Sequence, residues 1–274
     1  MTTSALPAPA AESTQSTPAT RKLDRSFFRG FAVPLVFLAV WYIATQYKLV
    51  NTFLVARPDK VVTSAIQQYR DGAIVAPLIA SLTRDLLGFS LGTSIGLLVG
   101  GLMGMSRIAD RLLGPSFHAA KQVAVFAWIP LLSVWCGSGE FAKVVFISLA
   151  AFYPVVLNTH EGVRSVAREY LEVAQVFRFT RWQVIRKVIV PAALPSVFSG
   201  VQLALIYAWL GTLGAEYLLA PGLGIGNLMI EGRESLAMDK VLVGVIIAGA
   251  VGATLNAIAG KLEQRALQWR VRGI

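Results

Sequence analysis

The residues of this chain that could make or break bonds are few and far apart. Cys136 is the single cysteine, which excludes an intramolecular disulfide and any multi-cysteine metal site, and the two histidines, His118 and His160, form no metal constellation. Both histidines are expected in loop or headgroup positions. No G-x-x-x-x-G-K-[ST] loop occurs, so the chain should not hydrolyse ATP. Gly222, Gly224 and Gly226 in PGLGIGN echo a nucleotide loop, but no strand precedes them, and the segment reads as a tight or re-entrant external loop. Glu216 is the most conspicuous ionisable residue within an apolar run. Two readings stand for it: an interfacial glutamate, exposed or paired with Arg233, or a gate residue, since charge inside a membrane is costly unless it has a task. Gln202, Tyr207, Trp209 and Thr212, with Ser133 upstream, are weaker candidates for a pathway, against which stands ordinary interhelical hydrogen bonding and aromatic anchoring. Arg84 and Asp85 are expected to pair at the interface.

The elements that must carry these residues are apolar spans. A mean hydropathy of +0.62, 55% hydrophobic and 15% charged residues place the 274-residue chain among polytopic membrane proteins, because soluble domains carry roughly a quarter charged residues. Residues 1–25, rich in Ala, Pro, Ser and Thr, read as a disordered cytoplasmic tail and not a signal peptide; residues 26–274 read as one transmembrane domain. Six spans are expected: Phe31–Tyr47, Leu78–Met105, Phe117–Cys136, Phe141–Thr159, Leu194–Leu219 and Val241–Ala259. The stretch Pro58–Gly72 is amphipathic and too polar to cross, so it should lie at the interface. Gly88, Gly92, Gly96, Gly100 and Gly104 recur every four residues, the pattern of close helix contact.

With both termini inside, 17 of the 25 lysines and arginines fall on the cytoplasmic side, as the positive-inside rule requires. Seven acids accompany them, and eight acids balance the eight outer cations, so the whole net charge of +10 is cytoplasmic. The basic character therefore reports topology and attraction to an anionic leaflet, and it argues against nucleic-acid binding.

One stretch interrupts the apolar pattern: EVAQVFRFTRWQVIRKVIVPAALP, Glu172 to Pro195. Tyr170, Val173, Ala174 and Phe177 fall on one helical face, and Thr180 with Gln183 has capping-box spacing that starts a second helix at Arg181. Arg181, Arg186 and Lys187 suit phosphate headgroups, and Pro191 and Pro195 are expected to break this helix before the next span. The result is a cytoplasmic helix-turn-helix elbow, either resting on lipid or docking into a groove on a partner.

The stretch resembles the EAA loop of ABC importer permeases. Glu172, Val173 and Ala174 occupy the E-A-A positions, and Val190 and Pro191 stand at the apolar-Pro end of a loop covering about 161–191. The resemblance is closest to the nitrate, sulfonate and taurine branch. It extends through SLTRDLLGFSLGTSIGLLVGGLMG, through WIPLLSVWCGSGEFAKV (Trp128, Pro130, Leu131, Trp135, Gly137, Gly139, Glu140) and through AEYLLAPGLGIGNLM. It departs at Arg178, where the loop carries a glycine able to take a positive φ, and at Phe179.

The resemblance implies an all-α membrane protein of the type I importer permease fold, with six transmembrane helices, both termini cytoplasmic, in a bacterial inner membrane. It implies a pore formed with a second permease copy, in a homodimer, two copies of an ABC ATP-binding subunit that use ATP and Mg, and a periplasmic or lipid-anchored substrate-binding protein. Glu172, Val173, Ala174, Phe177, Arg178 and Pro191 would couple this chain to the ATPase, and the chain itself would bind no cofactor. The substrate expected first is an aliphatic sulfonate or taurine, then nitrate, nitrite or bicarbonate, then a pyrimidine precursor. A stand-alone secondary transporter would show internal repeats and ion-coupling charges, which are not evident. An intramembrane enzyme would need a catalytic set, and none is present.

Overall fold

In the computed structural model, residues 25–47, 49–51, 55–219 and 221–268 are described, and they are helical with connecting turns. Residues 1–24 of the expected tail lie outside the described residues. Four helices are each long and apolar enough to cross a membrane: α3 (Val75–Met105), α6 (Glu140–Arg164), the continuous helix Arg181–Leu218, and α11 (Met238–Ala266). The first expected span falls in α1 (Arg25–Gln46), and the expected interfacial segment is α2 (Pro58–Arg70), entered through Pro58 and closed by Arg70.

The middle of the molecule is α6, held between α3 and α9 (Val190–Leu218). Ile147, Ala151 and Val155 of α6 pack with Ala204 and Ala208 of α9 in one buried cluster, backed by Phe89 of α3. The glycine stripe of α3 makes the other contact. A β-carbon on Gly92 would sit 2.2 Å from the Ser148 carbonyl oxygen, and one on Gly100 would sit 2.7 Å from that of Val156. Only hydrogen fits between these backbones. The opposite face of α3, with Leu87, Leu91 and Leu98, is exposed and suits lipid or a partner.

Three expectations are corrected. The third span, Phe117–Cys136, is not one helix: α4 (Arg107–Ala120) and the pair formed by a 3-10 turn (Val125–Trp128) and α5 (Ile129–Cys136) meet at 92°. The break falls at Lys121–Ala124, where the Gln122 and Val123 N–H groups bond carbonyls only three residues back, those of Ala119 and Ala120, so that the helix tightens and ends. The second helix of the elbow does not break at Pro191 or Pro195. Instead α8 (Arg181–Val184) runs through a π-turn (Ile185–Ile189) into α9, giving one 38-residue helix. The widened turn, closed by the Val190 N–H on the Ile185 carbonyl, makes room where a proline ring would crowd the preceding turn. The glycine-rich external segment also contains a helix, α10 (Ile225–Glu234).

Candidate functional site

At one end of the spans, α3 presents Ser81, Arg84, Asp85 and Gly88 on its buried face, at i, i+3, i+4 and i+7. On α9, Ala208, Thr212, Ala215 and Glu216 form the matching buried face. The two faces meet in a charge cluster that is buried at Glu216, Asp85 and Arg84 and open at Glu140. Glu216 is 0% exposed. Its Oε1 accepts from Arg84 Nη1 at 2.5 Å, the Ser81 hydroxyl donates to the carboxylate at 2.7 Å, and the Gly226 N–H donates to Oε2 at 2.9 Å. Arg84 also grips Glu140 at the start of α6 through Nε and, at 3.0 Å, through Nη2. Lys143, almost fully buried, reaches Glu140 at 3.3 Å. Beside them Thr212 donates to Asp85 at 3.1 Å.

Neither expected pairing of these groups occurs: Arg84 pairs with the two glutamates and not with Asp85, and Arg233 donates to the Tyr217 hydroxyl at 2.7 Å instead of meeting Glu216. The reason is geometric. Consecutive residues of a helix point about 100° apart, so Arg84 and Asp85 can share a buried face but reach different neighbours.

The glycine loop closes over the cluster. A β-carbon on Gly224 would sit 2.4 Å from the Glu216 carboxyl carbon, and one on Gly226 would sit 2.7 Å from Glu216 Cβ. Gly224 caps α10, so the carboxylate lies at that helix's N-terminus, where unpaired N–H groups and the dipole favour an anion. The Ile225 N–H is taken by Ser81 Oγ at 2.9 Å. PGLGIGN thus cradles a carboxylate of its own chain in the way a nucleotide loop cradles phosphate. The arrangement ties α3, α6, α9 and the α9–α10 connection together. It contains no nucleophile with an adjacent base and, among the described residues, no group of three His, Cys, Asp or Glu that could hold a metal.

The remaining pathway candidates are dispersed. Gln202 donates to Asn256 of α11 at 3.1 Å, Ser133 donates to the Pro130 carbonyl at 2.7 Å, and Tyr207 is exposed on α9. Trp209 is buried and donates to the Ala248 carbonyl at 2.9 Å, anchoring α9 on α11. Only Thr212 joins Glu216's neighbourhood, through Asp85. His160 lies inside α6, not in a loop, with Nε2 3.0 Å from Asp110 Oδ1.

At the other end, the elbow consists of α7 (Arg168–Val176) and α8. Tyr170, Val173 and Phe177 are exposed, Phe177 by 69%, and Glu172 is exposed beside them, whereas Ala174 is buried and faces the bundle. Arg178 takes φ +52°, the left-handed conformation that the glycine of the resembled loop would supply. The helix end is a Schellman motif: the Phe179 N–H bonds the Ala174 carbonyl at 3.0 Å and the Arg178 N–H that of Gln175 at 2.9 Å. Thr180 and Gln183 form the anticipated capping box. Between α7 and the proline face of α9 runs a groove of about 750 Å³, bordered by Tyr170, Val173, Phe177, Lys187, Pro191 and Ser196.

The chain is thus a helical membrane bundle with a helix-turn-helix elbow at one end and a clasped, charge-filled joint at the other. Residues 92–268 match the family of binding-protein-dependent transport system inner membrane components. The chain belongs to that family, the ABC importer permeases. It is 34% identical over 265 residues to a putative aliphatic sulfonates transport permease protein, SsuC, of Bacillus subtilis, covering 97% of this chain and 95% of that one. It is also 34% identical over 186 residues to the bicarbonate transport system permease protein CmpB of Synechococcus elongatus, covering 68% and 67%. Among solved structures, an amino acid ABC transporter with histidines superposes with a TM-score of 0.61 at 16% identity, covering 73% of this chain and 96% of that chain, which establishes a shared fold. The protein is a multi-pass component of the inner membrane.

Proposed function

We propose that this chain forms, with a second copy of itself, the translocation pathway of an ATP-driven importer for a small aliphatic sulfonate such as taurine. The observation that carries the substrate is the similarity to an aliphatic sulfonates permease along 97% of the chain. A substrate-binding protein delivers the anion to the outer face, and two ATP-binding subunits, which use ATP and Mg, dock on the elbow. Exposed Tyr170, Val173 and Phe177, with Glu172 beside them, support docking, because a few spaced apolar anchors on a short helix suit a helix-in-groove contact. Ala174 and Arg178 hold the elbow's shape, and Pro191 borders the groove behind it. ATP-driven closure of the ATPases then moves the elbow as a rigid body with the spans. Glu216 acts as part of the outer gate, its charge neutralised by Arg84, and not as a ligand.

The test is reconstitution with the cognate ATPase and binding protein in liposomes. ATP-dependent uptake of labelled taurine or another alkanesulfonate is expected. Replacing Glu172 and Phe177 together by alanine should abolish co-purification of the ATPase and uptake, and a complex that stays assembled and coupled would overturn the elbow's role. Similarity to a bicarbonate permease makes bicarbonate the second reading. ATPase stimulation by bicarbonate with no response to any sulfonate would select it.

A further inference from the structure

The basic end of the bundle holds a second feature, on the side of the elbow away from its exposed apolar anchors. An open groove of about 770 Å³ lies between the start of α4, the ends of α3 and α6, and the backs of α7 and α8. Arg107, Arg164, Arg168 and Arg181 line it, against one acid, Asp110. That acid is already engaged, accepting from Arg164 at 2.7 Å and standing 3.0 Å from His160. Among the described residues Arg107, Arg168 and Arg181 make no ion pair. Each of the three is also the first residue of a helix, α4, α7 and the long helix that α8 begins. A helix N-terminus favours negative charge, so arginine is the wrong sign there for the helix alone. Three exposed guanidiniums without a protein counter-charge, at three helix starts, therefore border one open groove, a setting that suits an anion.

The cavity is not polar throughout. Met105, Val163, Leu171, Ile185 and Ile189 contribute apolar lining. At the same end of the bundle Leu102, Met105, Ile108 and Leu112 are exposed, Ile108 and Leu112 one turn apart on α4. A free inorganic anion would leave these surfaces wet, and a water-soluble protein would cover them only with an apolar face of its own. A molecule with a phosphodiester head and acyl chains matches both halves. Resting on the charge count that makes this end cytoplasmic, we infer that the groove binds the headgroup of an anionic phospholipid of the inner leaflet. The head sits among Arg107, Arg168 and Arg181, and the chains lie along Leu102, Ile108 and Leu112.

The full chain is purified from nanodiscs of phosphatidylcholine mixed with phosphatidylglycerol, and the lipid it retains is counted by native mass spectrometry. Retention should favour phosphatidylglycerol by about tenfold or more, as several unpaired arginines near an anionic surface imply. Arg107→Gln with Arg181→Gln should bring the ratio near unity, whereas Lys261→Gln, exposed on α11 and outside the groove, should leave it unchanged. If the double variant does not fold, each single variant must still lower the ratio. An unchanged ratio in folded variants overturns the inference. So does binding of inorganic phosphate in pure phosphatidylcholine, lost in the variants, without any lipid preference, because the ligand is then a free anion. A cross-link from Arg107→Cys, in a Cys136→Ser background, to the ATPase subunit would show the groove to be a protein contact and overturn it too. The lipid readout needs neither substrate nor ATP, so failure of the transport reading leaves it standing.

Discussion

Glu216 is fully buried and Arg84 nearly so, and the two neutralise each other. Removing one partner of a buried ion pair strands a charge and costs about 3–5 kcal/mol, whereas replacing both by apolar side chains of similar size is often close to neutral. Arg84→Met should therefore lower the melting temperature in detergent sharply, and Arg84→Met with Glu216→Met should recover most of the loss. If the double variant is as unstable as the single, the pair is not the joint described here. Arg178 offers the opposite experiment. Its left-handed backbone costs a side-chain-bearing residue about 1–2 kcal/mol, partly offset in a glycine variant by greater unfolded-state freedom. Arg178→Gly should raise stability by about 0.5–1 kcal/mol in denaturation, and a loss instead would mean that the guanidinium makes a contact worth more than the strain. A turn between two helices was legible from the capping-box spacing, and its place at residue 178 came from the resembled loop's glycine; the backbone meets it without glycine. The partners of Arg84 were not legible, because they come from helices 56 and 132 residues away. A signal was nevertheless present: Ser81, Arg84 and Asp85 fall in register with Gly88 and the stripe beyond it, so polar residues on a packing face had to find one another.

At the level of the helix, local chemistry that depends on near neighbours was readable. The capping box at Thr180, the four-residue glycine repeat and the amphipathic α2 all rest on contacts within a turn or on a single periodicity. The repeat has a direct test. Gly92→Ala pushes a methyl group into the Ser148 carbonyl and should cost about 1–3 kcal/mol, read as a lowered melting temperature, since overpacking has no flexible side chain to displace here. Gly249→Ala on α11, where a β-carbon meets nothing within 4 Å, is the control and should be neutral or stabilising by up to about 1 kcal/mol through helix propensity. Equal effects at both positions would mean that helix propensity and not packing sets the outcome. Misjudged elements were those whose fate depends on accommodation. Pro191 reads as a stop, yet a π-turn absorbs it; the third span reads as continuous, yet it folds back by 92°. Proline and apolarity set local costs, and neighbouring helices decide how each cost is met.

For the molecule as a whole, charge asymmetry is the property that composition conveyed most directly. With both termini inside, as expected, the entire net charge of +10 lies on one side, and such a chain cannot insert either way with equal ease. In intact cells, with Cys136→Ser as background, Val176→Cys on the exposed elbow should resist a membrane-impermeant maleimide until the cells are opened. Leu236→Cys, exposed beyond α10, should react from outside. The reverse pattern would invert the topology and with it the assignment of the elbow to the ATPase. Composition could not reveal that the two ends share a single helix.

That shared helix makes the molecule a lever. From Arg181 to Glu216 the backbone is uninterrupted, and at 1.5 Å per residue the distance is about 50 Å. A tilt of about 5° pivoting at one end would carry the other end roughly 4 Å, more than enough to part hydrogen bonds near 2.9 Å such as that between Gly226 and Glu216. A push on the elbow too small to repack a core is therefore large enough, at the far end of the rod, to spring the clasp.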